Sequence, residues 1–193
     1  MSQEVVPGGA SSPVVQSASR EVPYDDGTHW RALLGFIIIS MDLVMEENIY
    51  RLSPEGVGPS VTRLNSPNDC NVATLAAQID GMAEAASILQ PQARPAVICY
   101  ACTSGSIVIG EDEVRAEIQR GAPWAKPSTL VTGVINALHR LDAQRIVVAT
   151  PYLDEINTME AAFLRERGFD VLNIQGLNVE DCEAMGRITP SFI

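Results

Sequence analysis

Continuous apolar runs alternate along the chain with stretches whose apolar residues recur every three or four positions. The first run is Leu-Leu-Gly-Phe-Ile-Ile-Ile at 33–39. A short run without polar interruption predicts a strand covered on both faces, hence a central strand of a parallel sheet. Segment 40–53 is mixed, and Pro54, Gly56, Gly58 and Pro59 then punctuate a loop. From 71 to 89 the period changes. Val72, Leu75, Ala76, Ile79, Met82, Ala83, Ala86 and Leu89 share one helical face, which Pro91 and Pro95 end. A second buried strand covers 95–102, and Thr-Ser-Gly-Ser at 103–106 reads as a turn of small residues. Helices are predicted over 112–120 and 128–141, the latter capped by Ser128. A strand over 145–150 leads to a helix over 154–167 with an acidic first turn and a closing Gly168. A strand over 170–174 and a helix starting near Val179 complete the pattern.

Strand and helix alternate, so the fold class is α/β with mostly parallel sheets and flanking helices. The predicted strands divide into two before Gly121 and two after it, which predicts two Rossmann-like lobes. Residues 1–28, rich in Ser, Val, Pro and Gly, read as a flexible leader. Residues 29–125 form a first lobe, and 126–193 the start of a second lobe that is cut short.

Composition narrows the partners. Hydrophobic residues are 46% of the 193, enough for a sizeable core, and the scarce aromatics suit helices packed on a parallel sheet. The 24 acidic against 13 basic residues give a net charge of −11, which repels phosphate backbones and anionic lipid. Nucleic-acid and membrane partners are therefore not expected. No signal peptide is visible, and the longest apolar run is too short to span a bilayer. The four cysteines, Cys70, Cys99, Cys102 and Cys182, are not spaced as a disulfide scaffold. A cytoplasmic protein with reduced thiols is expected.

The chemistry concentrates in Cys-Tyr-Ala-Cys-Thr-Ser-Gly-Ser at 99–106. Cys102 falls where a buried parallel strand ends, the usual mouth of an α/β site. Small residues behind it let backbone N–H groups face an anion, so a thiolate with a lowered pKa is expected. The same donors suit a carboxylate or a developing oxyanion. Three other readings remain. A zinc site needs four ligands, and no second Cys pair or nearby His pair supplies them. A redox pair would open a helix with its more reactive cysteine first, whereas Cys99 lies inside the strand. Cys102 as an ordinary core cysteine stays open. Arg63 reads as a solvated arginine rather than a carboxylate partner.

The strand ending in Cys-Thr-Ser resembles the first active-site loop of the maleate isomerase and arylmalonate decarboxylase family of the Asp/Glu racemase superfamily. Val-Val-Ala-Thr-Pro-Tyr-Leu-Asp-Glu-Ile-Asn at 147–157 is similar to a second block of that family, and Gly176-Leu-Asn with Glu-Ala-Met-Gly-Arg-Ile at 183–188 to a third. The branch it most resembles is that of ectoine utilisation. The resemblance implies a cofactor-independent, metal-free isomerase, racemase or decarboxylase acting on a small carboxylate. Cys102 would be the catalytic thiol. Thr103 and Ser104 would donate to the carboxylate, Tyr152 would hydrogen-bond it, and Cys182 would line the pocket. Asp42 stands where maleate isomerases carry an asparagine. An aspartate there opposes a dicarboxylate and suits a substrate with an amino group. The family's second thiol would lie beyond Met185, so the second half of the site is expected to be missing. Homo-oligomers are common among such proteins, and one is expected here. The competing function is an inactive carboxylate-binding α/β module. A nucleotide domain is disfavoured, because no glycine-rich phosphate loop follows a strand.

Overall fold

The apolar run at 33–39 forms β1 (Ala32–Ile39), the strand around which the rest is built. In the computed structural model, which describes residues 21–25 and 27–192, β1 pairs in parallel with β2 (Val57–Leu64) on one side and β3 (Val97–Tyr100) on the other. β3 in turn pairs with β4 (Lys126–Thr129), giving the order β2-β1-β3-β4. A second parallel sheet joins β5 (Arg145–Thr150) to β6 (Asp170–Gly176). Most of the stretch read as a flexible leader lies outside the described residues.

Helices cover the sheets unequally. Between β1 and β2 runs α1 (Met45–Leu52). A broken helical segment follows β2: α2 (Val72–Ala76), a 3₁₀ turn over Ala77–Gly81 and α3 (Met82–Ser87). After β3 come α4 (Thr103–Ile109) and α5 (Glu111–Gly121), then α6 (Leu130–Arg140) after β4 and α7 (Asp154–Glu166) after β5. The last element is α8 (Cys182–Met185). No helix among the described residues is long and apolar enough to cross a membrane.

The main core fills one face of the first sheet. Ile37, Ile98 and Tyr100 meet Met82 of α3 with Val114 and Ile118 of α5, all with no accessible surface. Each such aliphatic side chain contributes about 1.5–3 kcal/mol by leaving water. The two helices cross closely, because a Cβ on Gly121 would lie 2.0 Å from the Ala83 carbonyl oxygen. The second sheet packs Ile146, Val148 and Val171 against Ile135, Leu164 and Phe169, and its other face leaves Val147 and Leu172 exposed.

The structure revises several elements. The edge strand β2 takes in Gly58 and Pro59, read as part of a loop, and at a sheet edge a proline costs no ladder bond. Lys126–Thr129, placed by the sequence at the start of a second lobe with Ser128 and Thr129 opening a helix, is a strand hydrogen-bonded to β3. The cap of α6 is accordingly Thr129, whose hydroxyl accepts from the Thr132 amide at 3.1 Å, and not Ser128. The single helix predicted over 71–89 is broken at Gly81. There a Cβ would meet Leu64 Cδ1 at 2.7 Å, and the tightened turn before it turns Gln78 inward to 3% exposure.

One buried carboxylate ties the two halves together. Glu111, 8% exposed at the start of α5, accepts from Thr129 at 3.0 Å, Arg115 at 2.9 Å and Arg167 at 2.8 Å, and from the Thr132 hydroxyl. Burial pushes its pKa up, but the Thr132, Arg167 and Thr129 hydrogen bonds outweigh this and hold it below the ordinary glutamate value. Replacing Glu111 by Ala should cost about 2 kcal/mol in urea unfolding. That is less than for a fully buried pair, since both arginines can rehydrate. Its folded pKa is depressed, so this stabilisation is complete above the unfolded-state value and is lost as pH falls through the folded one. Wild type and Glu111→Ala should therefore converge in stability in acid.

Candidate active site

The order β2-β1-β3-β4 places a topological switch between β1 and β3, whose chains leave the sheet in opposite directions and open a crevice at their carboxyl ends. A cavity of about 230 Å³ occupies that crevice. The second sheet closes it, with Pro151 and Tyr152 arriving after β5 and Cys182 and Met185 after β6. Asp42, Cys102, Thr103, Ser104, Tyr152 and Cys182 all line this one cavity. Among the described residues no arginine or lysine lines it, and the donors it offers are neutral.

Cys102 sits in extended backbone as the N-cap of α4, and its sulfur accepts from the Gly105 amide at 3.3 Å. Ser104 Oγ lies 3.7 Å from the same sulfur. The small residues at 103–106 thus begin a helix rather than a turn. The amides of Thr103 and Ser104, in its first turn, have no intrahelical acceptor. The expectation of a lowered thiol pKa is overturned. Burial dominates and raises the Cys102 value, against the opposing pull of Gly105, Ser104 and Tyr100. The resting form is the thiol.

Cys99 does not share this cavity. It is half-buried on β3, its thiol pushed up to about 12 by burial. Cys70 does line the cavity and was missed by the sequence reading. An antiparallel bridge between Asp69 and Asp181 brings it to Cys182, through amide bonds from Cys70 to Glu180 O at 2.7 Å and from Cys182 to Asn68 O at 2.8 Å. A hydrogen bond from the Cys70 thiol lowers the Cys182 pKa and raises that of Cys70. Among the described residues no group of three His, Cys, Asp or Glu could hold a metal ion.

Ser104, 2% exposed, lines the cavity beside Cys102. Tyr152 lines the same cavity, and its pKa is raised mainly by burial. Tyr152 is held from behind. Asn157 Nδ2 donates to its carbonyl at 3.2 Å while Asn157 Oδ1 accepts from Thr150 at 2.5 Å. Gly176 must be glycine here, since a Cβ would lie 2.2 Å from Asn157 Nδ2 and 2.4 Å from Tyr152 O.

Asp42 has a structural task as well. Its Oδ1 accepts from the amides of Val44 at 2.9 Å and Met45 at 2.6 Å, capping α1. Arg63, read from sequence as solvated, instead pins this loop. Its Nη1 donates to the carbonyls of Ile39, Ser40 and Asp42 at 3.4, 3.2 and 3.0 Å, and its Nη2 to Glu46 at 2.8 Å. Nothing in spacing flags Arg63, Gln78 or Cys70, because each acts across elements far apart in the chain.

The arylmalonate decarboxylase family matches residues 69–193. The maleate isomerase of Nocardia farcinica is 30% identical over 103 residues, covering 50% of this chain and 41% of that protein. The arylmalonate decarboxylase of Bordetella bronchiseptica is 36% identical over 61 residues, covering 32% of this chain and 25% of that protein. The matches thus span less than half the length of either relative. Among solved structures, a Nocardia farcinica maleate cis-trans isomerase variant with a covalently bound succinylcysteine intermediate superposes with a TM-score of 0.74 at 22% identity, over 83% of this chain and 69% of that one. The fold is therefore that of these enzymes.

The thiol environments predict a labelling order. At neutral pH, peptide-resolved iodoacetamide alkylation should modify Cys182 first, ahead of Cys102, Cys70 and Cys99. Asn157→Ala, which releases the Tyr152 carbonyl, should leave that order intact and loosen the 150–157 turn, read as faster amide exchange there.

Proposed function

The chain belongs to the arylmalonate decarboxylase family, and from that premise we propose that it is a cofactor-independent, cysteine-dependent decarboxylase, racemase or isomerase of a small carboxylate. The single observation that carries the reading is the Cys102 sulfur, capping α4 at the floor of a cavity of about 230 Å³. That volume suits a ligand of few heavy atoms.

In this reading the substrate carboxylate takes the amides and hydroxyls of Thr103 and Ser104 and the Tyr152 hydroxyl. Charge that moves onto the carboxylate as an enediolate forms is met by the same donors, which were oriented before the reaction began. Cys102, resting as a thiol, delivers its proton to the carbon and becomes a thiolate. The Gly105 amide then stabilises that thiolate, and water restores the proton. In decarboxylation the electron pair comes from the carbon–carboxylate bond as carbon dioxide leaves. A second reading has the thiolate add to a double bond, allow rotation and leave again. The Gly105 and Ser104 donors favour it, and the burial of Cys102 opposes it.

Asp42 refines the substrate. Its Oδ1 is committed to the cap of α1, and Asp42 lines a cavity that no arginine or lysine among the described residues lines. A carboxylate brought to about 4 Å of it would be repelled by about 4 kcal/mol at an effective dielectric near 20. An amino group beside the carboxylate turns that repulsion into attraction. This is the substrate type implied by the resemblance to the ectoine-utilisation branch.

Two measurements test these points. Proton NMR in deuterated water, with arylmalonate, maleate and amino-carboxylate probes, should show product or deuterium incorporation that falls about 10³-fold in Cys102→Ala. Ligand binding by calorimetry with no product from any probe would mean a binding module instead, and an unaltered rate in Cys102→Ala would sink the enzymatic reading. Asp42→Asn keeps the capping oxygen, so the loop should hold. Affinity for maleate should rise about tenfold and affinity for an amino-carboxylate should fall.

A further inference from the structure

Two further cysteines meet where the segments after β2 and β6 run side by side. Cys70 directly precedes Asn71, whose Oδ1 accepts from the Thr74 amide at 3.1 Å to start α2. Cys182 directly follows Asp181, whose Oδ1 accepts from the Ala184 amide at 2.8 Å to start α8. Asp69 and Asp181 form an isolated antiparallel bridge, flanked by amide bonds from Cys70 to Glu180 O at 2.7 Å and from Cys182 to Asn68 O at 2.8 Å. Side chains add to it. Asn71 Nδ2 donates to Glu180 Oε1 at 3.2 Å, and the Glu183 amide donates to Asn68 Oδ1 at 3.1 Å.

That register fixes where the two sulfurs go. Cys70 stands opposite Glu180 and Cys182 opposite Asn68. The cysteines are therefore diagonal neighbours, on the face that Asp69 and Asp181 turn away from. The cavity agrees, since Cys70 and Cys182 line it and Asp69 and Asp181 do not. Cys182 also packs against the apolar cluster that Cys70 forms with Leu75 and Ile156. In a regular ladder diagonal partners lie about 7–8 Å apart at Cα, and a disulfide closes at about 4.4–6.8 Å. The difference is about 1 Å. A single bridge outside the named strands leaves both segments room to make that shift. A bond closed under slight strain is readily reduced again.

We propose that Cys70 and Cys182 are a redox pair that hydrogen peroxide converts to a disulfide, tying the segment before α2 to the start of α8. This goes beyond the enzymatic reading, since Cys102 takes no part. The pair is unequal in the way the chemistry needs. Cys182 is half-buried, whereas Cys70 is 4% exposed. The neighbouring thiol also holds Cys182 below the ordinary cysteine pKa and pushes Cys70 up. The Cys182 thiolate attacks one peroxide oxygen and breaks the O–O bond. It becomes a sulfenic acid, and the hydroxide that leaves takes up the proton Cys182 gave. Cys70 then attacks the sulfenic sulfur, and its own proton departs with the hydroxyl as a second water. Two thiols lose two electrons and two protons, and one peroxide becomes two waters. Asp69, Glu180 and Asp181 are exposed beside the pair, which favours a small neutral oxidant over an anionic disulfide.

Non-reducing peptide mapping of the full chain after brief hydrogen peroxide treatment reads this pair without requiring turnover. The result therefore stands apart from the NMR assay that tests the enzymatic reading. A linked Cys70–Cys182 peptide is expected, lost on adding dithiothreitol, and the free thiols should fall from four to two. Cys102, held by the Gly105 amide at 3.3 Å, and Cys99, outside the cavity, should stay alkylatable. In Cys70→Ala the sulfenic acid has no partner, so dimedone should trap it on Cys182. In Cys182→Ala the oxidation of Cys70 should slow about tenfold. A chain that stays unlinked, or a link that includes Cys102, overturns the proposal. So does Cys182 passing to the sulfinic acid while Cys70 remains free, or Cys70 oxidising at the wild-type rate in Cys182→Ala. The wild-type chain alone gives the first result, so a variant that does not fold leaves the test intact.

Discussion

The contact on which this site depends is the amide of Gly105 against the sulfur of Cys102, 3.3 Å apart at the first turn of α4. Two opposed effects meet there. Burial disfavours the thiolate, while an N–H donor at a helix start favours it by about 0.3–2 kcal/mol. Burial is the larger, so the sulfur keeps its proton at rest. The amide still matters, because in the proposed proton transfer it would stabilise the thiolate left behind. A thiol that is neutral before the chemical step and charged after it is what proton delivery to a carbanion requires. A fully exposed cysteine would ionise without regard to the substrate, and a fully apolar pocket would not let it ionise at all.

That contact is useful only because two sheets converge on it. The first sheet supplies the sulfur and the Asp42 loop, and the second supplies Tyr152 and the segment bearing Cys182. Their relative placement rests on α4 against α7 and on Glu111, which gathers groups from α5, α6 and the end of α7. A shared buried carboxylate resists sliding better than an apolar contact of the same size. Each of its oxygens has fixed partners, and a shift breaks several charge-assisted bonds together.

The order of elements was largely legible in the sequence. Arg145–Thr150 is a strand and Asp154 begins a helix as read, because continuous apolar residues and an acidic first turn are strong local signals. The edge strands β2 and β4 were not legible. Both carry proline, and only their position at the sheet margin makes that harmless. Cys102 was legible from its place at a strand end, and the other five candidates, which line the same cavity, were named on the family resemblance. The charge state of Cys102 was not, since burial depends on Leu75, Met185 and Tyr152 arriving from distant segments. Nor was Gln78, which sits at a position of apparent polarity on a predicted helix. Only the break at Gly81 turns it into the core.

Electrostatics then limits what the cavity can hold. Among the described residues its lining offers one aspartate, three thiols and no cation. A dianionic ligand held beside a resting thiolate would put four negative charges in one crevice, against donors worth about 1.5–3 kcal/mol each. Repulsion of about 4 kcal/mol for each close pair exceeds that support. The arrangement balances only if the sulfur is neutral when the ligand enters and if part of the ligand's charge is cancelled or expelled. A leaving carboxylate and an accompanying ammonium each meet this condition. The protonated thiol and the aspartate are thus two sides of one constraint on how much negative charge the crevice can hold.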